Sequence, residues 1–174
     1  MRELSNEIGV SAEELELFEY LLEEEGLYDR SLIYVTDINE GTLRQARDGI
    51  YPAELMQKYT QNYQYAGGQR SFSEYYTARY DYAILRPALQ RNIVFSQHNL
   101  VSDAPFNEFN VILCRNVMIY FNRGLQERTH NLFHASLAMF GILGLGSRES
   151  LRFMPQEHMY EPLVAGEKLY RRVL

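Results

Sequence analysis

The stretch NVILCRNVMIYFN, residues 110–122, decides the fold. Its first part, Val111 to Cys114, is a short apolar run that is typical of a buried strand. Arg115 and Asn116 follow directly, and a helix is predicted to begin near Asn122. In open α/β sheets, ligands bind just beyond the carboxyl ends of the strands. Arg115 and Asn116 are therefore candidate ligand contacts.

Composition restricts the class of protein. The 174 residues suit one domain, predicted over 1–174. Apolar residues make up 46% of the chain and charged residues 23%, and there is no membrane-length apolar run, which predicts a globular protein without membrane insertion. The start shows no signal peptide, and the single Cys114 fits a reducing cytoplasm. A net charge of -6 argues against nucleic acid as a partner.

The amino-terminal part predicts a helix. Ser11 and Glu14 have the spacing of a capping box, and apolar residues recur behind them on one helical face. We expect this helix to run from about Ala12 to Glu25 and to stop at Gly26.

The segment LIYVTDIN, residues 32–39, predicts a buried strand that carries Asp37 at its carboxyl end. Asn39 can cap a following helix, which Gly49 closes. Strand, turn and helix in this order form the repeating unit of a parallel sheet. Asp37 is interpreted either as an acid that holds the ribose hydroxyls of a nucleotide or as a helix-capping or surface aspartate.

A glycine-rich turn is expected about 20 residues before a ribose-binding acid. Residues 7–14, EIGVSAEE, occupy that place and contain one glycine, so the usual glycine-rich turn that binds a cofactor is lacking. The later run of Gly141, Gly144 and Gly146 lacks a carboxylate at the right distance. We interpret it as strand-end packing and turn geometry.

Residues 51–87 form a tyrosine-rich segment that we interpret as an inserted β-subdomain. Gly67 and Gly68 predict a turn, and the flanking residues suggest short antiparallel strands or a hairpin. The tyrosines are expected mainly to pack, although exposed tyrosine is also favoured in interfaces.

The remaining chain completes an α/β sheet. NIVFSQHNL, residues 92–100, predicts another buried strand, and residues 124–139 predict a helix whose inner face includes Leu137 and Phe140. A short strand follows within residues 141–151, and residues 160–174 predict a hairpin that turns at Ala165 and Gly166. The last strand should therefore run antiparallel.

Two further groups have reactive side chains. His130 and His134 have the i, i+4 spacing of metal ligands, but no third ligand suggests itself, so we predict a solvated helix face and no metal site. Cys114 belongs to a buried strand, which argues against a nucleophilic thiol.

Four segments together resemble the CheR family of chemotaxis receptor methyltransferases. They are LIYVTDIN (32–39), SFSEYYTARYDYAI (71–84), NIVFSQHNL (92–100) and NVILCRNVMIYFN (110–122), the last carrying C-R-N-V-x-I-Y-F. The resemblance implies an enzyme that uses S-adenosylmethionine to methylate glutamate side chains of chemoreceptors. It also implies a Rossmann-like class I methyltransferase sheet with a small inserted β-subdomain, which in some members docks a receptor tail.

The same resemblance assigns the site residues. Asp37 matches the acid that holds the cofactor ribose, and Asn99 with Leu100 matches the pair near the adenine. Arg115 and Asn116 match the pair that contacts the cofactor beside the reacting centre, and they are the candidate catalytic residues. Catalysis would come from alignment and removal of water, since a glutamate carboxylate is already a nucleophile.

The sequence departs from the family pattern in its amino-terminal part. The helical amino-terminal domain, the first sheet strand and the glycine-rich loop are lacking, and Ile8 to Ala12 supplies no small-residue turn. Loss of a central strand should leave two strand edges unpaired. Three resolutions remain open: residues 1–10 replace the strand, the sheet closes on itself, or a second chain pairs with the edges in a homodimer.

These observations leave three hypotheses about function. The first is a protein-glutamate methyltransferase that binds its cofactor through Asp37, Asn99 and Asn116. The second is a cofactor-free remnant of the fold that acts as a protein-binding module, with the tyrosine-rich segment as the candidate binding surface. The third is a truncated fragment of a longer enzyme.

Overall fold

The computed structural model describes Leu22, residues 25–65 and residues 67–174. The chain divides into two compact units: the described residues up to Gln97 belong to the first, and residues 98–174 belong to the second. The predicted capping box, most of the amino-terminal helix and the glycine-poor turn of residues 7–14 lie outside the described residues. The single domain over 1–174 stays a prediction.

The end of the predicted amino-terminal helix is described, and it has the expected geometry. Leu22 is helical, Gly26 has φ 66°, and the N–H of Leu27 donates a 2.7 Å hydrogen bond to the carbonyl of Leu22. This is the six-residue closure of a Schellman motif, which needs a left-handed residue that glycine adopts without a Cβ penalty. The prediction that Gly26 ends the helix is confirmed.

A strand, a helix and a parallel strand form one part of the first unit. Strand β1 (Ile33–Asp37) leads into helix α1 (Glu40–Asp48) and pairs in parallel with a later strand, β5 (Ile93–Gln97). The side chain of Asn39 caps α1 by accepting from the N–H of Gly41, and Gly49 closes it with φ 62°. The existence of both predicted strands and both predicted helix ends is confirmed. The expected burial of the strands is wrong at most positions, because only Asp37 among their ten residues is buried. The two strands end in register, with Asp37 opposite Gln97.

The chain between α1 and β5 forms a separate antiparallel sheet. Its strands β2 (Ile50–Pro52), β3 (Tyr76–Arg79) and β4 (Tyr82–Leu85) lie in the order β2-β4-β3. Between β2 and β3 lies helix α2 (Met56–Tyr65), which the sequence interpretation as short strands or a hairpin missed. The hairpin turn falls between β3 and β4, where Tyr80 has φ 52°. Gly67, with φ 95°, follows the end of α2 instead.

Tyrosines of this segment divide between packing and exposure. A buried cluster joins α2 to the antiparallel sheet, and its members are Met56, Tyr63, Phe72, Tyr75, Ala83 and Leu89. Tyr63, Phe72 and Tyr75 contact one another with ring centroids 5.4–6.1 Å apart. Tyr65 and Tyr80 are almost fully exposed. The expectation of packing holds for the first group and is wrong for the second.

The second unit contains a four-stranded mixed sheet. Its strands β6 (Phe109–Cys114), β7 (Leu137–Leu145), β8 (Tyr160–Pro162) and β9 (Leu169–Arg172) lie in the order β6-β7-β9-β8. Strands β6 and β7 are parallel, whereas β9 runs antiparallel to both of its neighbours. The predicted terminal hairpin and antiparallel last strand are confirmed, and so is the α/β class.

Helix α3 (Arg123–Ser136) crosses from β6 to β7 and ends three residues before the predicted Met139. Leu137 already begins β7, and Phe140 has φ 65° and an exposed ring, so their placement on an inner helical face was wrong. The pairing of β6 with β7 shifts register over this stretch. The guanidinium of Arg172 donates to the carbonyls of His134 and Leu137, and these bonds satisfy backbone groups where the helix ends.

The core of the second unit lies around β6 and β7. Its buried members are Cys114, Met118, Phe133, Leu137, Leu143, Leu145, Leu151 and Tyr160. Among the described residues, β6 pairs with β7 alone and β1 pairs with β5 alone. The loss of a first strand concerns residues outside the described ranges and stays a prediction. No helix in the described part of the chain is long and apolar enough to cross a bilayer.

Candidate functional site

Asp37 stands at the carboxyl end of β1, with 5% of its surface exposed. Its Oδ1 atom accepts a 2.6 Å hydrogen bond from the N–H of Asn39. Burial raises the pKa of this carboxyl above its usual range, while the backbone N–H groups of Asn39 and Ile38 oppose the shift. The fold therefore holds a largely desolvated hydrogen-bond acceptor at the end of a parallel strand.

Gln97 supports the same turn and was missed in the sequence interpretation. It ends β5 opposite Asp37, and its Nε2 atom donates a 2.8 Å hydrogen bond to the carbonyl of Ile38. The turn after β1 is thus fixed from the neighbouring strand. The sequence feature that could have identified Gln97 was its position as a polar residue at the end of a second parallel strand.

Asn99 and Leu100 lie in a tight turn at the start of the described second unit. The N–H of Asn99 donates to Oδ2 of Asp103 at 2.8 Å, and its side-chain Oδ1 accepts from the N–H of Val101 at 2.9 Å. The bonds that Asp103 accepts from Asn99 and Ser102 lower the pKa of the Asp103 carboxyl. Leu100 packs against the core cluster that contains Cys114 and Met118.

Arg115 and Asn116 follow β6, as the sequence predicted. Arg115 is half-buried, whereas Asn116 is exposed. The backbone of Asn116 is left-handed, with φ 61°, which is uncommon for a residue with a side chain. Leu100 and this pair are linked to the same core cluster, since Cys114 directly precedes Arg115 and Leu100 packs against the cluster.

Glu149 is the principal site feature that the sequence interpretation missed. Its side chain is buried, and its two carboxylate oxygens accept hydrogen bonds from four backbone N–H groups. The donors are Asn116, Val117, Met118 and Gly146. No local signal marks this residue in the sequence, because its neighbours are Arg148 and Ser150. The turn after β6 is therefore tied to the turn after β7.

Two other reactive groups of this unit, Cys114 and His130, are buried. Burial and the charge of Glu149 raise the pKa of the Cys114 thiol, which agrees with the prediction that Cys114 is not a nucleophile. His130 is only 2% exposed, so the predicted solvated face is wrong at that position. Burial lowers the pKa of His130, and the charge of Glu149 opposes that shift. No cluster of three metal-binding side chains occurs within residues 25–65 and 67–174.

The predicted site residues fall into both units. Asp37 belongs to the first unit, whereas Asn99, Leu100, Arg115 and Asn116 belong to the second. Their roles in binding a cofactor stay predictions. Comparison with known proteins shows the family to which the chain belongs.

The family described as CheR methyltransferase, SAM binding domain, matches residues 17–165. This chain belongs to the CheR family. The match confirms the resemblance found in the four sequence segments, and it includes Asp37, Asn99, Leu100, Arg115 and Asn116. The matched CheR domain is one that binds S-adenosylmethionine, which confirms the predicted cofactor of the family.

Curated relatives carry related names. A Pseudomonas putida protein, Cher3, provisionally named a methyltransferase, is 46% identical over 162 residues, covering 93% of this chain and 59% of its own. Proteins named chemotaxis protein methyltransferase are 29% identical in Listeria monocytogenes, over 119 residues, and in Borreliella burgdorferi, over 128 residues. These matches cover 68% and 69% of this chain, but 42% and 41% of the relatives. The CheR chain thus spans well under two thirds of these relatives.

Proposed function

We propose that this CheR chain binds S-adenosylmethionine and transfers its methyl group to glutamate carboxylates of a chemoreceptor-type protein in the bacterial cytoplasm. The observation that carries the proposal is the buried carboxylate of Asp37 at the end of β1, within a chain matched to the S-adenosylmethionine-binding domain. An acid at this place in a nucleotide-binding sheet accepts hydrogen bonds from ribose hydroxyls.

The residues present fit such a cofactor in their chemistry. Asp37 offers a carboxylate held by the backbone turn, which suits two vicinal hydroxyls. Leu100 offers an apolar side chain that would lie near the adenine. Arg115 and Asn116 would lie beside the reacting centre, where they would position the methyl donor and the acceptor.

The proposed reaction needs little acid or base catalysis. When bound, the cofactor supplies a methyl group activated by its attachment to a sulfonium sulfur. A carboxylate oxygen of the acceptor glutamate would form a bond to the methyl carbon while the carbon–sulfur bond breaks, giving a methyl ester and S-adenosylhomocysteine. The acceptor is already ionised at neutral pH. The chain therefore has to align the groups and exclude water, and neither Cys114 nor His130 has a required role.

The proposed sheet is Rossmann-like, with residues 51–87 as an inserted β-subdomain and without the usual first strand and glycine-rich loop. One edge of β1 and one edge of β6 have no strand partner among the described residues. Backbone groups at a buried edge require partners, and a second copy of the chain would supply them in a homodimer. Sedimentation velocity tests this, and a monomer at micromolar concentration would contradict it.

Calorimetric titration with S-adenosylhomocysteine, the expected product, tests cofactor binding. We expect micromolar affinity in the wild-type chain and a clear loss in Asp37→Ala. Asp48→Ala, which removes an exposed carboxylate from the end of α1, is the matched control and should keep the affinity. If Asp37→Ala binds as well as wild type, Asp37 does not hold the ribose.

The outcome in the wild-type chain separates the enzyme from the alternatives. Binding would justify a methyl-transfer assay with radiolabelled S-adenosylmethionine and a glutamate-bearing receptor fragment. No heat at high ligand concentration, together with no thermal shift, would contradict the proposed function. A cofactor-free binding module or an incomplete enzyme would then remain.

A further inference from the structure

We propose that Glu149 is a positioning residue of the cofactor site, because its carboxylate holds the turn after β6 in the conformation that presents Asn116. This inference rests on the proposed function in one respect, namely that Asn116 contacts the cofactor. The local role of Glu149 in fixing the turn can be tested independently of any ligand.

The hydrogen bonds are specific to a carboxylate. Oε1 accepts from the N–H groups of Val117 at 2.9 Å and Met118 at 2.7 Å. Oε2 accepts from Asn116 at 3.1 Å and Gly146 at 2.7 Å. A glutamine side chain has one acceptor oxygen, and its amide group would face N–H donors. The four bonds therefore favour a side chain with two acceptor oxygens over an amide at this position.

The turn that Glu149 holds is conformationally demanding. Asn116 has φ 61°, a left-handed conformation in which its Cβ is crowded. The three consecutive N–H groups of Asn116, Val117 and Met118 point to one side chain. Without that acceptor, these buried or half-buried donors would lack their partner, and the left-handed turn would lose its main support.

Gly146 permits the close approach of the two turns. A Cβ atom at this position would lie 2.7 Å from the backbone nitrogen of Asn116 and 2.8 Å from its Oδ1 atom. It would also lie 2.7 Å from Oε2 of Glu149. Only a residue without a side chain fits, so the turn after β7 directly limits where the Asn116 side chain can stand.

The charge of Glu149 is compensated within this local network. Four N–H dipoles converge on a buried carboxylate that would otherwise be costly to desolvate. The neighbouring titratable groups on which its charge acts are the Cys114 thiol and the His130 imidazole. Neither donates one of the four bonds, so the carboxylate acts on the backbone of the turn.

Amide hydrogen exchange in the 174-residue chain tests the local role. In Glu149→Gln, we expect the amides of Asn116, Val117, Met118 and Gly146 to exchange at least about tenfold faster, while amides of the β7 core keep their protection. Glu157→Gln is the matched control, since Glu157 lies in the same loop and accepts from the N–H of Phe153. Unchanged exchange at the four amides would overturn the proposal, whether or not any ligand binds.

A double-mutant cycle tests whether Glu149 acts through Asn116. We expect Glu149→Gln and Asn116→Ala each to weaken S-adenosylhomocysteine binding by roughly tenfold or more, and the double variant to be little weaker than either. Additive losses would overturn the proposal, because a general structural defect would not depend on Asn116. Loss of binding in Glu157→Gln to the same degree would also overturn it.

A second variant covers the case in which Glu149→Gln does not fold. Gly146→Ala leaves the charge in place but puts a Cβ against Asn116, so it should weaken binding while near-UV circular dichroism stays unchanged. Wild-type affinity in Gly146→Ala would overturn the proposal. If the wild-type chain itself fails to bind, the proposed function is wrong, and the exchange rates at the four amides still decide whether Glu149 fixes the turn.

Discussion

The backbone N–H of Asn39 donates a 2.6 Å hydrogen bond to Oδ1 of Asp37, the residue that ends β1. The same Asn39 caps helix α1 with its side chain. One turn therefore fixes the carboxylate and starts the helix. The bond does not offset burial completely, because the pKa of Asp37 is still raised. The ionised carboxylate of Asp37 therefore lowers the free energy of unfolding. A residue with only a structural role would not need to do so.

Asp37→Asn should separate stability from binding. The folded-state pKa lies above the usual 3.8, so the stability contributed by protonated Asp37 is present at low pH and lost as pH rises through that pKa. At pH 7 the asparagine avoids burial of an ionised carboxylate. The free energy of unfolding in urea should therefore be equal to or higher than that of the wild-type chain. Affinity for S-adenosylhomocysteine should fall roughly tenfold to a hundredfold, as for a lost charged hydrogen bond. A less stable variant with unchanged affinity would contradict both expectations.

His130 should make the second unit sensitive to mild acid. Burial lowers its pKa below the usual 6.5, so the unfolded chain takes up the proton first. The associated stability is present above pH 6.5 and is lost as pH falls, with a slope of at most about 1.4 kcal/mol per pH unit. His130→Gln should flatten this slope in urea unfolding measured from about pH 7.5 to 5.5. If His130→Gln keeps the wild-type slope, the pH dependence of the free energy of unfolding comes from other groups.

Phe153 should carry backbone strain that glycine relieves. Its φ is 66°, its ring is 70% exposed, and the Arg152 guanidinium lies 4.9 Å from the ring centroid. Phe153→Ala and Phe153→Gly both remove the ring, but only glycine removes the crowded Cβ. The glycine variant should therefore be the more stable by about 1 kcal/mol in urea unfolding. Equal stability of the two variants would show that the left-handed backbone is not strained there.

Asn122 should stabilise helix α3 as its N-cap. Its Oδ1 atom accepts a 3.0 Å hydrogen bond from the N–H of Leu125. Asn122→Ala should cost about 1 kcal/mol, whereas Asn122→Asp, which keeps the acceptor, should stay close to wild type. Thermal and urea unfolding measure the stability of both variants. A loss in the aspartate variant as large as that in alanine would contradict the capping role.

The strands that carry the candidate site could be predicted because each is a short apolar run that ends in polar residues. This pattern identified β1, β5 and β6, and capping residues such as Asn39 and Asn122 located the helix starts. These are local signals, in which the residue types that decide the structure lie within a few positions of each other.

Two elements were missed because local signals conflicted. Tyrosines favour strands, and their density concealed helix α2, where Met56 and Tyr63 lie on the same helical face and are both buried. Leu137 continues the helical period of α3, yet it begins β7, where the sheet buries it completely. Tertiary packing decided both cases.

Glu149 could not be identified as a site residue from spacing, because its partners after β6 lie 31 to 33 residues earlier. A lone glutamate in a loop normally suggests solvent exposure. His130 was misjudged for a similar reason, since its burial depends on elements packed against α3. Contacts between distant segments, which sequence periodicity does not report, determine these side-chain environments.

The order β7-β9-β8 has a consequence for biosynthesis. Strand β8 is translated before β9, yet among the described strands it pairs only with β9, which lies between β8 and the rest of the sheet. While the ribosome is still adding residues 163–168, β8 lacks its strand partner. We expect this edge of the second unit to assemble in the reverse of its order of synthesis, because β8 can join the sheet only after β9 is in place.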